Sequence, residues 1–171
     1  MHGDGLPPMA STAHIEASKM SVIGIDPGQS GGVACLDSDL AEGIPMPLAG
    51  KEVDGRELAA WIFLRKPTLV VIEKVGAMPG QGVVSMFQFG RNFGAIIGVV
   101  EALGLPYRFV TPQAWKREVL SGTSRDKTAA IEHVHRTYPS VDLCPGRKRS
   151  PHDGIADAVC LAEWGRRAGH G

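Results

Sequence analysis

A run of consecutive apolar residues, Leu69, Val70, Val71 and Ile72, leads straight into a carboxylate, Glu73. An unbroken, largely β-branched run of this kind marks a central strand covered on both faces, so it calls for helices on either side of a sheet. The strand expected over 68–72 is preceded by Pro67 and followed by a Gly/Pro-rich stretch over 76–82, so its C-terminal end opens into a loop. Hydrophobic strands rarely end in Glu without a partner nearby, which makes Glu73 the first candidate functional residue.

The flanking elements follow an α/β order. A β-branched run over 22–25 ends in the turn signal Asp26, Pro27, Gly28, and a second strand resumes over 32–36, so 28–31 closes a hairpin. Pro45 and Pro47 push a third strand, over 43–46, toward an edge. Asp54 can cap a helix running to Leu64, with Leu58, Trp61, Ile62 and Leu64 as its apolar side. A long helix over 83–103 carries Gly90, Gly94 and Gly98 on one face, a spacing that allows close approach to a strand layer or to a second subunit. A strand over 107–110 follows, then helices over 112–120 (Thr111 as cap, Pro112 first), 124–138 and 152–167. The expected architecture is a single α/β domain with a mixed central sheet and helices on both faces.

Composition narrows the setting. The chain has 171 residues, 43% hydrophobic and 21% charged, enough for one core. No apolar run approaches the ~20 residues of a membrane-spanning helix, so a soluble protein with no membrane partner is expected. The net charge is zero. Local basic groups (Arg65 with Lys66, Lys116 with Arg117, Arg125 with Lys127, and Arg147, Lys148, Arg149) still allow a basic groove around an acidic centre. Cys35, Cys144 and Cys160 have neither disulfide nor zinc spacing, which suits a reducing compartment. Residues 1–19 read as a disordered extension or a remnant preceding a domain over 20–171, with Met20 a plausible start.

Asp26 and Glu73 leave the ends of two strands, and if those strands are neighbours their carboxylates emerge side by side. Asp153 and Asp157, four apart at the start of the last helix, share one face. Taken singly, Asp26 could be a turn former and Asp153 a helix-start acid favoured by the macrodipole. Taken jointly, they are the converging oxygen donors that hard divalent cations require.

Ile23, Gly24, Ile25, Asp26, Pro27 and Gly28 resemble the opening motif of RuvC-like Holliday junction resolvases. Val71, Ile72, Glu73, Lys74 and Val75 resemble their second acidic motif, and the run from His152 through Asp153, Gly154, Ile155, Ala156 and Asp157 to Ala158 resembles their third. The run from Thr111 through Pro112, Gln113, Ala114, Trp115 and Lys116 to Arg117 is similar to a segment of the phage and plant chloroplast branch, to which the spacing of the last two acids is also closer. The resemblance spans about residues 20–165 and departs from bacterial RuvC, where the last two acids usually stand three apart; here that position is Gly154.

The resemblance implies an RNase H-like fold and a homodimer acting on branched DNA. It further implies Mg²⁺-dependent paired nicking, with Mn²⁺ able to substitute, and 5′-phosphate and 3′-hydroxyl ends. Asp26, Glu73, Asp153 and Asp157 would hold two ions per site, with Lys116 beside the scissile phosphate. Lys116, Arg125 and Lys127 fall on basic DNA-facing positions; Phe87 or Phe89, with Arg91, falls where an aromatic wedge meets the junction, and Phe93 goes to the core. His152 is open between supporting the acids and capping the helix. The implied setting is the nucleoid of a bacterium or phage-infected cell, an organelle also fitting. Two other readings are an actin-like nucleotide-binding protein, suggested by the glycines after Asp26, and a junction-binding protein without catalysis. The first needs a second phosphate loop that the chain lacks, and the intact acidic set argues against the second.

Overall fold

A computed structural model describes residues 20–76, 80, 82–123, 128–146 and 149–169. In chain order it contains β1 (Val22–Asp26), β2 (Gly32–Leu36), β3 (Ala41–Pro45), β4 (Leu48–Ala49), β5 (Glu52–Val53) and α1 (Gly55–Arg65). Then come β6 (Leu69–Glu73), α2 (Val83–Ala102), β7 (Tyr107–Val110), α3 (Pro112–Val119), α4 (Ala129–Thr137) and α5 (Asp153–Ala168).

One mixed sheet has the order β3-β2-β1-β6-β7. The first three strands pair antiparallel, whereas β6 runs parallel to both β1 and β7. The expected doubly covered strand is β6, where Val70, Val71 and Ile72 are fully buried. Because side chains alternate across a strand, each face of the sheet has its own core. Ile23, Ile25, Val70 and Ile72 pack against Leu58 and Ile62 of α1 and Ile96 and Val100 of α2. Val22 and Val71 face the opposite way, against α3, α4 and above all α5.

The close seating of α5 depends on glycine. A Cβ on Gly24 would come within 2.0 Å of the Ala158 carbonyl oxygen, and one on Gly154 within 2.4 Å of the Ser30 oxygen and the Gly31 carbonyl carbon. Gly31 and Gly154 accordingly form a β-bridge, which docks the start of α5 onto the turn between β1 and β2. Ile155, Val159 and Ala162 are fully buried, as their positions on the helix suggest.

Several expectations need correction. Asp54 does cap α1, accepting from the Arg56 and Glu57 N–H groups. Of the proposed apolar side, however, Leu64 is 74% exposed, because the helix sets only a narrow stripe, Leu58 and Ile62, into the core. The hairpin β4–β5 was not anticipated. Helix α2 is, by length and composition, long and apolar enough to cross a membrane, against the expectation that no run approached this. Its apolar residues are interleaved with Gly, Ser, Gln and Asn, which hides the run, and it packs on the sheet through Asn92, Ile96 and Val100. Gly90, Gly94 and Gly98 are exposed, and a Cβ on any of them would meet nothing within 4 Å, so that face does not approach the strand layer. The segment 1–19, the first residues of the helix expected from Ser124, and Gln81 of the glycine-rich loop lie outside the described residues.

Candidate metal centre

The parallel pairing of β1 with β6 sets Ile25 opposite Ile72, so the next residues, Asp26 and Glu73, reach the same sheet edge side by side. Asp26 is half-buried and Glu73 is 9% exposed. The Gly31–Gly154 bridge brings the first turn of α5 to this edge, with Asp153 exposed and Asp157, one turn on, half-buried. Gly154 explains the spacing of these acids. The position three before Asp157 lies against backbone and has no room for a carboxylate, so the acid stands at 153.

Helix α3 closes the site from the β7 side. Thr111 caps it by accepting from the Ala114 N–H, with Pro112 opening the helix. Trp115 is fully buried and its indole N–H donates to Glu73 Oε1 at 2.8 Å. Lys116, next along, is exposed, with its ammonium 5.1 Å from the centroid of the Trp115 ring.

The charges act on one another. Burial, and then the Glu73 charge, raises the Asp26 carboxyl to about 6, against the opposing pull of the Gly28 N–H bond and of Lys116. Burial raises Asp157 to about 7; Lys116 opposes this, while Asp26, Glu73 and Asp153 add to it. All four acids and Lys116 therefore form one electrostatic group. Two carboxyls held toward neutrality at an acid-rich edge are the pattern that a bound cation would reverse.

By charge and donor type the set fits a hard divalent ion. Among the described residues, no three His, Cys, Asp or Glu side chains are gathered tightly enough to hold an ion as they stand. The fit is thus one of chemistry rather than of a finished coordination shell.

The other candidates separate clearly. His152 caps α5, its Nδ1 accepting from the Ile155 N–H at 3.3 Å. Phe87 is 69% exposed. Phe89 stacks on Phe93 with centroids 6.1 Å apart, and Phe93 packs against the core, where the sequence reading put it. Arg91 pairs with Glu52 of β5 at 2.8 Å. Arg125, Lys127, Arg147 and Lys148 lie outside the described residues.

No family model matches the chain, and no curated protein matches it in sequence. Solved structures do. Thermus thermophilus RuvC in complex with a Holliday junction substrate superposes with a TM-score of 0.62 at 19% identity, over 88% of this chain and 96% of that one. The fold is that of RuvC. The yeast mitochondrial Holliday junction resolvase matches this chain with a TM-score of 0.53 at 12% identity, covering 89% of it and 81% of the resolvase. Fowlpox virus resolvase in complex with junction DNA gives 0.50 at 16% identity, over 87% of this chain and 98% of that one. The RNase H-like architecture is thereby established, and the chemistry rests on the residues that the RuvC-like fold brings together.

The sequence shows Trp115 only as part of the segment from Thr111 to Arg117 and not its bond to Glu73, although a Trp beside a candidate lysine was the available signal. It also hides a buried network on the far side of α5. There His133 Nε2 lies 2.7 Å from Glu163 Oε2, and Arg167 pairs with the other Glu163 oxygen. The signal there was Glu163 amid the apolar run of α5.

Proposed function

We propose that this chain is a metal-dependent, structure-selective DNA endonuclease that resolves four-way junctions. The observation that carries the reading is the meeting of Asp26, Glu73, Asp153 and Asp157 with Lys116 at one sheet edge of a RuvC-like fold. Mg²⁺, with Mn²⁺ able to substitute, is the expected cofactor, two ions per site. When bound, the pair would activate water and stabilise the departing 3′-oxygen, leaving a 5′-phosphate and a 3′-hydroxyl.

The protein's own residues do the rest. Asp26 and Glu73 present oxygens from rigid strand ends, and Trp115 holds one Glu73 oxygen so that the other keeps a defined direction. Lys116 brings a cation to the same space, where charge develops on the reacting phosphate. Phe87, exposed at the start of α2, presents an aromatic ring for unpaired bases at the junction.

A junction has two-fold symmetry, and two opposed cuts call for a two-fold dimer. The open Gly90, Gly94 and Gly98 face of α2, together with exposed Val83, supports a homodimer through that helix. The test is Asp26→Asn and Glu73→Gln. Both should abolish Mg²⁺-dependent nicking of a four-way junction while leaving junction binding intact or stronger. A variant that still nicks at the wild-type rate would remove its residue from the site.

A further inference from the structure

Hairpin β4–β5 has no task in the catalytic reading. Two strands of two residues each do not hold a hairpin in place by themselves. Side chains do so instead. The Lys51 carbonyl oxygen accepts from three amides: Gln29 Nε2 at 2.7 Å, Asn92 Nδ2 at 3.1 Å and Gln88 Nε2 at 3.3 Å. Asn92 Oδ1 accepts in turn from the Val53 N–H at 3.2 Å, and Arg91 pairs with Glu52. Asn92 is only 3% exposed, so its bonds fix the hairpin to α2 as one unit.

The latch creates a groove. Between the hairpin tip, the turn after Asp26 and the first half of α2 lies a cleft of about 590 Å³, within the usual size of small-ligand sites. Gln29, Ser30, Lys51, Ser85, Gln88 and Phe89 line it, and among the described residues no carboxylate does. It begins beside the acids, since the Gly28 N–H donates to Asp26 Oδ1 at 3.3 Å and Gly28 also lines the cleft. The lining offers an exposed ammonium for a phosphate, an aromatic ring held by its stack on Phe93, and amide groups for a base edge. With Nε2 of Gln29 and of Gln88 engaged by the Lys51 carbonyl, the amide oxygens are their acceptors for a ligand.

We propose that this groove is a nucleotide subsite, holding one unstacked nucleotide of the DNA strand beside the reacting phosphate. Lys51 contacts its phosphate, and Gln29 and Gln88 face its base. The subsite rests on the nuclease reading and deepens it, because unpaired nucleotides at a branch point expose the base faces and edges that such a groove can take.

The test uses binding alone, without divalent metal, so that it stands apart from any test of cleavage. A four-way junction carrying 2-aminopurine at the crossover is titrated with wild type, Lys51→Ala, Gln29→Ala and Gln88→Ala over a range of salt. Lys51→Ala keeps the carbonyl and hence the latch; it should flatten the slope of log affinity against log salt by about one. In the wild type the 2-aminopurine signal should rise on binding as the base leaves its stack, and Gln29→Ala and Gln88→Ala should each lose at least half of that rise. An unchanged slope in Lys51→Ala, or a full rise in both glutamine variants, overturns the subsite. A wild type that binds with this signal but never nicks in Mg²⁺ would instead sink the nuclease reading and leave the groove standing.

Discussion

Replacing Trp115 with phenylalanine keeps a ring in the core and removes one N–H. That N–H makes the 2.8 Å bond to Glu73 Oε1, in a place where Trp115 is fully buried and Glu73 is 9% exposed. A hydrogen bond to a charged acceptor contributes about 1.5–3 kcal/mol, and its loss leaves a buried carboxylate oxygen without a donor. The smaller ring adds a void costing about 1 kcal/mol, for a total near 2–4 kcal/mol. In a chain of this length that corresponds to a fall in Tm of roughly 5–15 °C. Cleavage should suffer separately from stability, since Glu73 loses the contact that orients it. Single-turnover nicking should slow by about tenfold or more while junction affinity stays within about twofold, because Trp115 is fully buried and offers no surface for DNA to touch. Val119→Ala is the control, a buried packing change in the same helix that leaves the indole in place. It should lower Tm without slowing nicking at a temperature where the protein is folded. The reasoning is refuted if Trp115→Phe melts and nicks like wild type, or if Val119→Ala slows nicking as much.

The raised carboxyl of Asp157 sets a pH signature. Its folded value of about 7 lies above the unfolded value of about 3.9, so the native state binds the extra proton and loses stability as pH rises through that window. Without divalent metal, Asp157→Asn should therefore raise Tm near pH ~8, with the gain gone by about pH 4; a gain that does not change with pH would contradict this assignment. Lys116→Ala should lower the nicking rate more than the affinity, as measured by single-turnover kinetics beside anisotropy. A loss confined to affinity, with a shallower salt slope, makes Lys116 an ordinary phosphate contact. Gly94→Leu places a side chain where the described structure has nothing within 4 Å, so light scattering should report a folded monomer with an undiminished melting point. A dimer that persists would move the interface off this face of α2.

The parts of the fold visible in sequence were those with a period or a terminal signal. β6 was legible from its unbroken apolar run, and Asp26 and Glu73 from standing where two strands stop. The departure at Gly154 was visible without its reason, which is contact between α5 and the turn at Gly31. What stayed hidden was built from pairs distant in sequence. Trp115 and Glu73 are 42 residues apart, and the latch from Asn92 to Lys51 spans 41. Strands as short as β4 and β5 show no alternation, so their hairpin exists only through that latch. Leu64 failed for a related reason: an apolar residue near a helical stripe is buried only where another element comes to meet it.

The central claim, that the acidic edge cuts branched DNA, is tested most directly by incubating the wild-type chain with a mobile four-way junction beside a linear duplex of the same sequence. Products are mapped on a sequencing gel with and without Mg²⁺. The account predicts nicks at symmetric positions on two opposed strands of the junction, only when Mg²⁺ is present, with ends that ligase can seal and an intact duplex. Equal cutting of the duplex, cutting without divalent metal, or no cutting of a junction that the protein binds would contradict it.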